Sequence, residues 1–235
     1  MKCLAIGVVI FLCAFPAAAQ LAEPNDRGVS FGHMHLVVAD LELHKRLWPE
    51  VFGAELVEKQ GYSAVRVADA LIFFREAEPT ATSVETAMDH FGLKVRDLQD
   101  VLSKWRALGY EVDSEESDAG GRAAAFITMP GGVRLALEED LNQSAGTSMG
   151  HVHFVTSMRP ELMAWYADRF GIATFNKFGG SHSASIPGSE LRFEGAEKDR
   201  LQTDGAAIDH IGFEVEEWEG FVETLIEAGI CLLYT

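Results

Sequence analysis

The chain has 235 residues, with 36 acidic against 19 basic side chains, a formal net charge of −17 and 48% hydrophobic residues. An acidic field of this size repels phosphate backbones and anionic headgroups, which argues against nucleic acid or an anionic membrane as partner. The hydrophobic share is enough for a packed core without covalent staples.

In chain order, the first element is "MKCLAIGVVIFLCAFPAAAQ", with one cation, Lys2, an apolar run to about Phe15, and small residues ending in Ala17-Ala18-Ala19. This is the layout of a signal peptide over residues 1–19, cleaved before Gln20, and its apolar run is short for a membrane span. A secreted or periplasmic protein with no stable membrane anchor after cleavage is expected. Removal of residues 1–19 takes Lys2 and no acid, leaving 18 basic against 36 acidic residues. Cys3 and Cys13 leave with the signal and Cys231 stays alone, so the core must hold without an intrachain disulfide.

After the leader, a period-two apolar alternation led by histidine, "HMHLVVAD", predicts a strand. The next stretch, "LELHKRLWPEVFG", has helical periodicity and ends on a glycine, with Pro49 expected to kink it. Three strand-like runs follow: "AELVEKQ", "SAVRVAD" and "ALIFFREA". The order then restarts with "DHFGLKVRD", the helix "LQDVLSKWRALGY", and the strands "AAAFITMP" and "VRLALEED". It restarts again with "GHVHFVTS" and "RPELMAWYADRFG", and once more with "DHIGFEVEE" and "EWEGFVETLIEAG".

The repetition is explicit. "AMDHFGLKV" at 87–95 returns as "AIDHIGFEV" at 207–215, and Gly32-His33-Met34-His35 returns as Gly150-His151-Val152-His153. The leading histidines His33, His90, His151 and His210 lie 57, 61 and 59 residues apart. The expectation is an α+β fold of tandem βαβββ modules, with a first half over 31–141 and a second over 149–235. Side chains at i and i+2 of a strand share a face, so His33 and His35 point one way, as do His151 and His153. Convergence of such strands across a cavity would gather imidazoles suited to Fe, Zn, Ni or Mn.

These four leads, each followed by helix and strands, resemble the vicinal oxygen chelate superfamily, which includes glyoxalase I, type I extradiol dioxygenases and bleomycin-resistance proteins. The resemblance implies paired modules forming cupped half-barrels. It places metal ligands for Fe²⁺, Mn²⁺ or Zn²⁺ on His33 and His90 in the first half, and on His151 and His210 in the second. It also implies a carboxylate in the last strand, but "PGGVRLALEED" carries Ala136 at that position. Glu138 sits one pleat further, about 6.5–7 Å along the strand, and reads with Glu139 and Asp140 as an acidic strand end in water. The other carboxylate position falls among Leu191, Arg192 and Phe193, flanked by Glu190 and Glu194.

His182, after Gly179-Gly180, reads as a loop histidine, and Trp48, Trp105, Trp165 and Trp218 read as helix-packing residues. Beyond His210 there are 25 residues, fewer than the three strands of a full module need, so the last module is expected to be incomplete. Its leading strand would then present an edge through which a homodimer can form. Two functions stay open. One is a metal-dependent dioxygenase-like or isomerase-like enzyme acting on a small substrate with vicinal oxygens. The other is a metal-free protein that binds or sequesters a small molecule.

Overall fold

The computed structural model describes residues 22–230 apart from 60, 69, 118–121, 173–175 and 179–180. The leader and Cys231 therefore lie outside the described residues. Among the described residues no helix is long and apolar enough to cross a membrane.

The expected α+β repeat is present. Module one is β1 (Val29–Val38), α1 (Leu41–Phe52), β2 (Glu55–Lys59), β3 (Tyr62–Val67) and β4 (Ala70–Glu76). Module two is β5 (Met88–Val95), α2 (Leu98–Ala107), β6 (Ser114–Ser117), β7 (Ala123–Met129) and β8 (Val133–Glu139). Module three is β9 (Thr147–Thr156), α3 (Arg159–Phe170), β10 (Asn176–Phe178), β11 (Ser181–Ile186) and β12 (Ser189–Gly195). The described part of module four is β13 (Ile208–Val215) and α4 (Trp218–Glu227).

Local chemistry sets the helix starts. The aspartates that close the first two leading strands cap the helices that follow: Asp40 accepts from the Leu43 amide at 2.8 Å, and Asp97 from the Asp100 amide at 2.9 Å. Neither α3 nor α4 has a side-chain cap. Helix α1 runs through Pro49 to Phe52 and ends on Gly53, whose φ of 65° lets its amide reach the Pro49 carbonyl at 3.0 Å. The periodicity missed β6, because "SEES" is polar, short and mostly exposed and so carries no apolar alternation.

The strands form a five-stranded sheet, β13-β1-β4-β3-β2, and an eight-stranded sheet, β10-β11-β12-β9-β5-β8-β7-β6. Each complete leading strand runs parallel to the last strand of its own module, and leading strands meet antiparallel. Module one thus joins module four, and module two joins module three. Pairing within the sequence halves, as the repeat suggested, is not what forms. Residues 140–146 are a short link, and they bring β9 back beside β5. The longer connectors 77–87 and 196–207 bond to each other instead, with Ala87 donating to the Leu201 carbonyl at 3.1 Å and Ala207 to that of Ala81 at 2.9 Å.

Helices α1 and α3 each reach across to the other sheet. Trp48 of α1 stacks on Phe91 of β5, with centroids 6.4 Å apart and planes 3° apart. Phe170 of α3 meets Phe213 of β13 at 4.4 Å. Trp48 and Trp105 are fully buried, as a packing role requires, but Trp165 and Trp218 are exposed.

Candidate metal centre

On β1 the alternation is sharp: Met34 and Leu36 go into the core, while His33 and His35 face the opposite way and are half-buried. On β9, His151 and His153 share a face in the same manner. The strand register then decides which histidines meet. His90 lies opposite His153, and Gly92 opposite His151; in the other sheet His35 lies opposite His210, and His33 opposite Gly212. The four expected ligands therefore meet as His90 with His151 and as His33 with His210. His33 and His90 belong to different sheets, as do His151 and His210, so neither expected pair forms.

Each meeting recruits a third imidazole that was not among the expected ligands. Ring centroids of His90 lie 5.3 Å from His151 and 4.6 Å from His153. One nitrogen from each of the three lies within 4.8 Å of the others, and this is the one such group among the described residues. In the second cluster, the His210 ring lies 5.7 Å from His33 and 4.6 Å from His35, and His35 Nδ1 is 3.3 Å from His210 Nε2. The i, i+2 spacing of "HMH" and "HVH" carried the signal for His35 and His153.

The doubled Asp-His has a chemical reason. His90 Nδ1 donates to Asp89 Oδ1 at 2.7 Å, and His210 Nδ1 donates to Asp209 Oδ1 at 2.6 Å. A proton held on Nδ1 leaves the Nε2 lone pair free and aims it into the cavity. Asp89 is itself held by Arg200 at 3.0 Å and Arg134 at 3.4 Å. Burial opposes its charge, but the His90 bond and the two arginines hold its carboxyl below the usual range. Asp209 takes the Gly205 amide at 2.7 Å and Arg75 at 3.2 Å.

The two clusters differ in enclosure. His90, His151 and His153 open onto a cavity of about 800 Å³, whose wall includes Phe126, Ala136, Glu138, Arg192 and Glu194. His151 is 1% exposed, and burial, then the Arg192 charge, pushes its pKa well below the ordinary value. His153 is lowered to about 3, first by burial and then by His90. His33 is lowered to about 4 by burial, His210 and His35, yet His210 beside it is exposed. Neutral imidazoles are the ligating form. The buried Nδ1 of His151 makes no hydrogen bond; Glu138 Oε1 lies 3.4 Å away, outside bonding geometry. An unsatisfied buried nitrogen beside two further imidazoles fits a divalent cation.

The carboxylates depart from the sequence reading. Ala136 faces Gly92 on β5 and is buried in the cavity wall, so the position expected to carry an acid is apolar. Glu138 is no strand end in water: Arg192 donates to it at 2.7 Å, inside the cavity. Glu190 and Glu194 share Arg192's face of β12, with Glu190 3.2 Å from Arg192 and Glu194 3.4 Å from His153 Nε2. His182 lies in β11 rather than a loop, and faces Met163 and Ala167 of α3, away from the imidazoles.

Residues 30–137 match the model of the Glyoxalase/Bleomycin resistance protein/Dioxygenase superfamily. The chain carries a domain of this superfamily. Glyoxalase I from Zea mays is similar in structure, with TM-score 0.65 at 14% identity over 85% of this chain and 79% of that one. A putative dioxygenase from Bacillus subtilis gives TM-score 0.66 at 10% identity over 89% and 76%. At these identities the likeness is one of fold. No curated protein matches the chain by sequence. The superfamily domain as matched spans modules one and two, whereas the His90 cluster takes two of its three imidazoles from module three.

Proposed function

We propose that the chain is an exported metal-dependent enzyme that acts on a small substrate with vicinal oxygens in the His90–His151–His153 cavity. The observation that supports it best is the convergence of three imidazoles, one of them fully buried with an unsatisfied nitrogen, on a walled cavity. Fe²⁺, Mn²⁺ or Zn²⁺ held there would chelate both substrate oxygens and lower the cost of negative charge on them, as ring-cleaving dioxygenation or enediolate isomerisation requires. Asp89 fixes the orientation and tautomer of His90. Phe126 supplies an apolar wall 5.2 Å from the His90 ring and excludes water on that side. The half-exposed Glu194 carboxylate stands at the cavity edge, where an Oε atom can accept a substrate proton. His33, His35 and His210 form a second, more open set of weaker affinity.

Buried, apolar Ala136 favours a second reading, a metal-free pocket that binds or sequesters a small molecule. Metal-loaded and metal-free protein should be assayed on an aromatic vicinal diol, by oxygen uptake, and on a thiol adduct of a 2-oxoaldehyde, by absorbance. Turnover of either compound that requires the metal supports the enzyme reading. Equal binding of ligand to both forms without turnover favours sequestration.

A further inference from the structure

Arg192 occupies an unusual place for a cation. It lies on β12 opposite His153, and its Nη1 is 2.7 Å from Glu138 Oε1 and 3.4 Å from His151 Nε2. Its Nη2 reaches Glu190 Oε2 at 3.2 Å. The guanidinium therefore engages one nitrogen of the most buried imidazole and the carboxylate nearest that imidazole's other nitrogen. The ion pair is well shielded, with side-chain exposures of 16% for Arg192 and 23% for Glu138, so its charges are not screened as a surface pair's would be.

The fold does not ask for an arginine there. In module one, the residue opposite His35 on the parallel strand is Phe73, whose ring packs 5.2 Å from His33. The same backbone position thus accepts an aromatic ring in one cluster and a guanidinium in the other. The guanidinium is specific to the enclosed cluster, which also has alanine at 136 and a glutamate one pleat further on.

We propose that Arg192 competes with a divalent cation for Glu138 and opposes it by its like charge beside His151, so that Arg192 sets the metal affinity of the cavity. A cation arriving at the imidazoles meets a like charge close to His151 Nε2 and finds Glu138 already neutralised. With the guanidinium gone, Glu138 becomes a fourth ligand and supplies the carboxylate that Ala136 does not. The inference rests on the metal reading of this cavity, and it concerns affinity rather than turnover.

The test is Zn²⁺ affinity by chelator competition, with Co²⁺ absorption as a report on the ligand set, using the full mature chain. Arg192→Gln should tighten Zn²⁺ binding by about tenfold or more, a scale typical of groups that act through a ligand, and should change the Co²⁺ spectrum. Adding Glu138→Gln should abolish both effects. Arg192→Lys, a smaller change that keeps the charge, should bind no more tightly than the unchanged protein. Circular dichroism and unfolding midpoints confirm that each variant is folded, and Arg192→Met replaces Arg192→Gln if the latter is not.

Unchanged or weaker Zn²⁺ binding by a folded Arg192→Gln or Arg192→Met protein overturns the proposal, as does a gain that survives Glu138→Gln. If only the Arg192 variants bind metal, the competition stands and the metal-enzyme reading fails. If the unchanged protein binds metal and the Arg192 variants bind no better, the competition fails and the enzyme reading stands.

Discussion

Gly92 stands directly opposite His151 across the β5–β9 pair, and a methyl group on Gly92 would overlap the imidazole ring. Gly212 and His33 repeat the relationship in the other sheet. The third letter of each "HFG" and "HIG" is therefore the space into which the partner strand's histidine fits. Gly92→Ala should destabilise the protein by about 1–3 kcal/mol, the usual cost of overpacking a closed site, and weaken Zn²⁺ binding by moving His151. Urea unfolding with a parallel metal titration measures both effects, and a variant unchanged in both would show that His151 has room to yield.

Asp89 is expected to act on metal through His90. Asp89→Asn keeps the shape but removes the acceptor charge that holds His90 Nδ1 and meets Arg134 and Arg200. Zn²⁺ affinity should fall by about 10–100-fold, as loss of a carboxylate behind a ligating histidine commonly does. Calorimetric titration of the folded variant checks it.

His44 carries a pH prediction that does not depend on metal. It is buried on α1, its Nε2 donates to the Pro130 carbonyl at 3.0 Å, and its Nδ1 has no hydrogen-bond partner. Burial lowers its pKa from 6.5, against the opposing pull of the Pro130 bond and Asp40. The unfolded chain therefore takes up this proton at higher pH than the folded one. The stability His44 contributes in its neutral form is fully present above pH 6.5 and is lost as pH falls toward the lowered value. Unfolding midpoints at about pH 7.5 and about pH 5 should differ less for His44→Leu than for the unchanged chain. Equal differences would mean that His44 does not titrate in this range.

The fold was legible because the repeat states histidine-led alternation and then a helix four times, with Asp40 and Asp97 capping the first two helices and strands following the first three. Four of the six clustered imidazoles were legible in the same way, His33, His90, His151 and His210. Module partnering was not. A "GHxH" strand needs a "DHxG" strand opposite, so that each first histidine faces a glycine, and pairing modules one with two satisfies this as well as one with four. The choice lies in the connectors, which are tied mainly through backbone atoms, with Thr80 and Arg200 adding side-chain bonds to the Asp204 and Val84 carbonyls, and such bonds to carbonyls leave little trace in side-chain pattern. Glu138 was read as solvated because Arg192, its partner, lies 54 residues away in another module.

Export is expected from the leader. Protein recovered outside the cytoplasm should give an N-terminal read starting at or near Gln20, and recovery of the full-length form alone from the membrane fraction would contradict it.

The most direct test of the central claim is Zn²⁺ stoichiometry of the untagged mature protein, by elemental analysis after dialysis, in two double variants. About one tightly held ion per chain is expected, lost in His90→Ala/His153→Ala and kept in His33→Ala/His210→Ala. Retention of the ion in the first variant, or its loss only in the second, would contradict the assignment of the metal centre to the β5–β9 cavity.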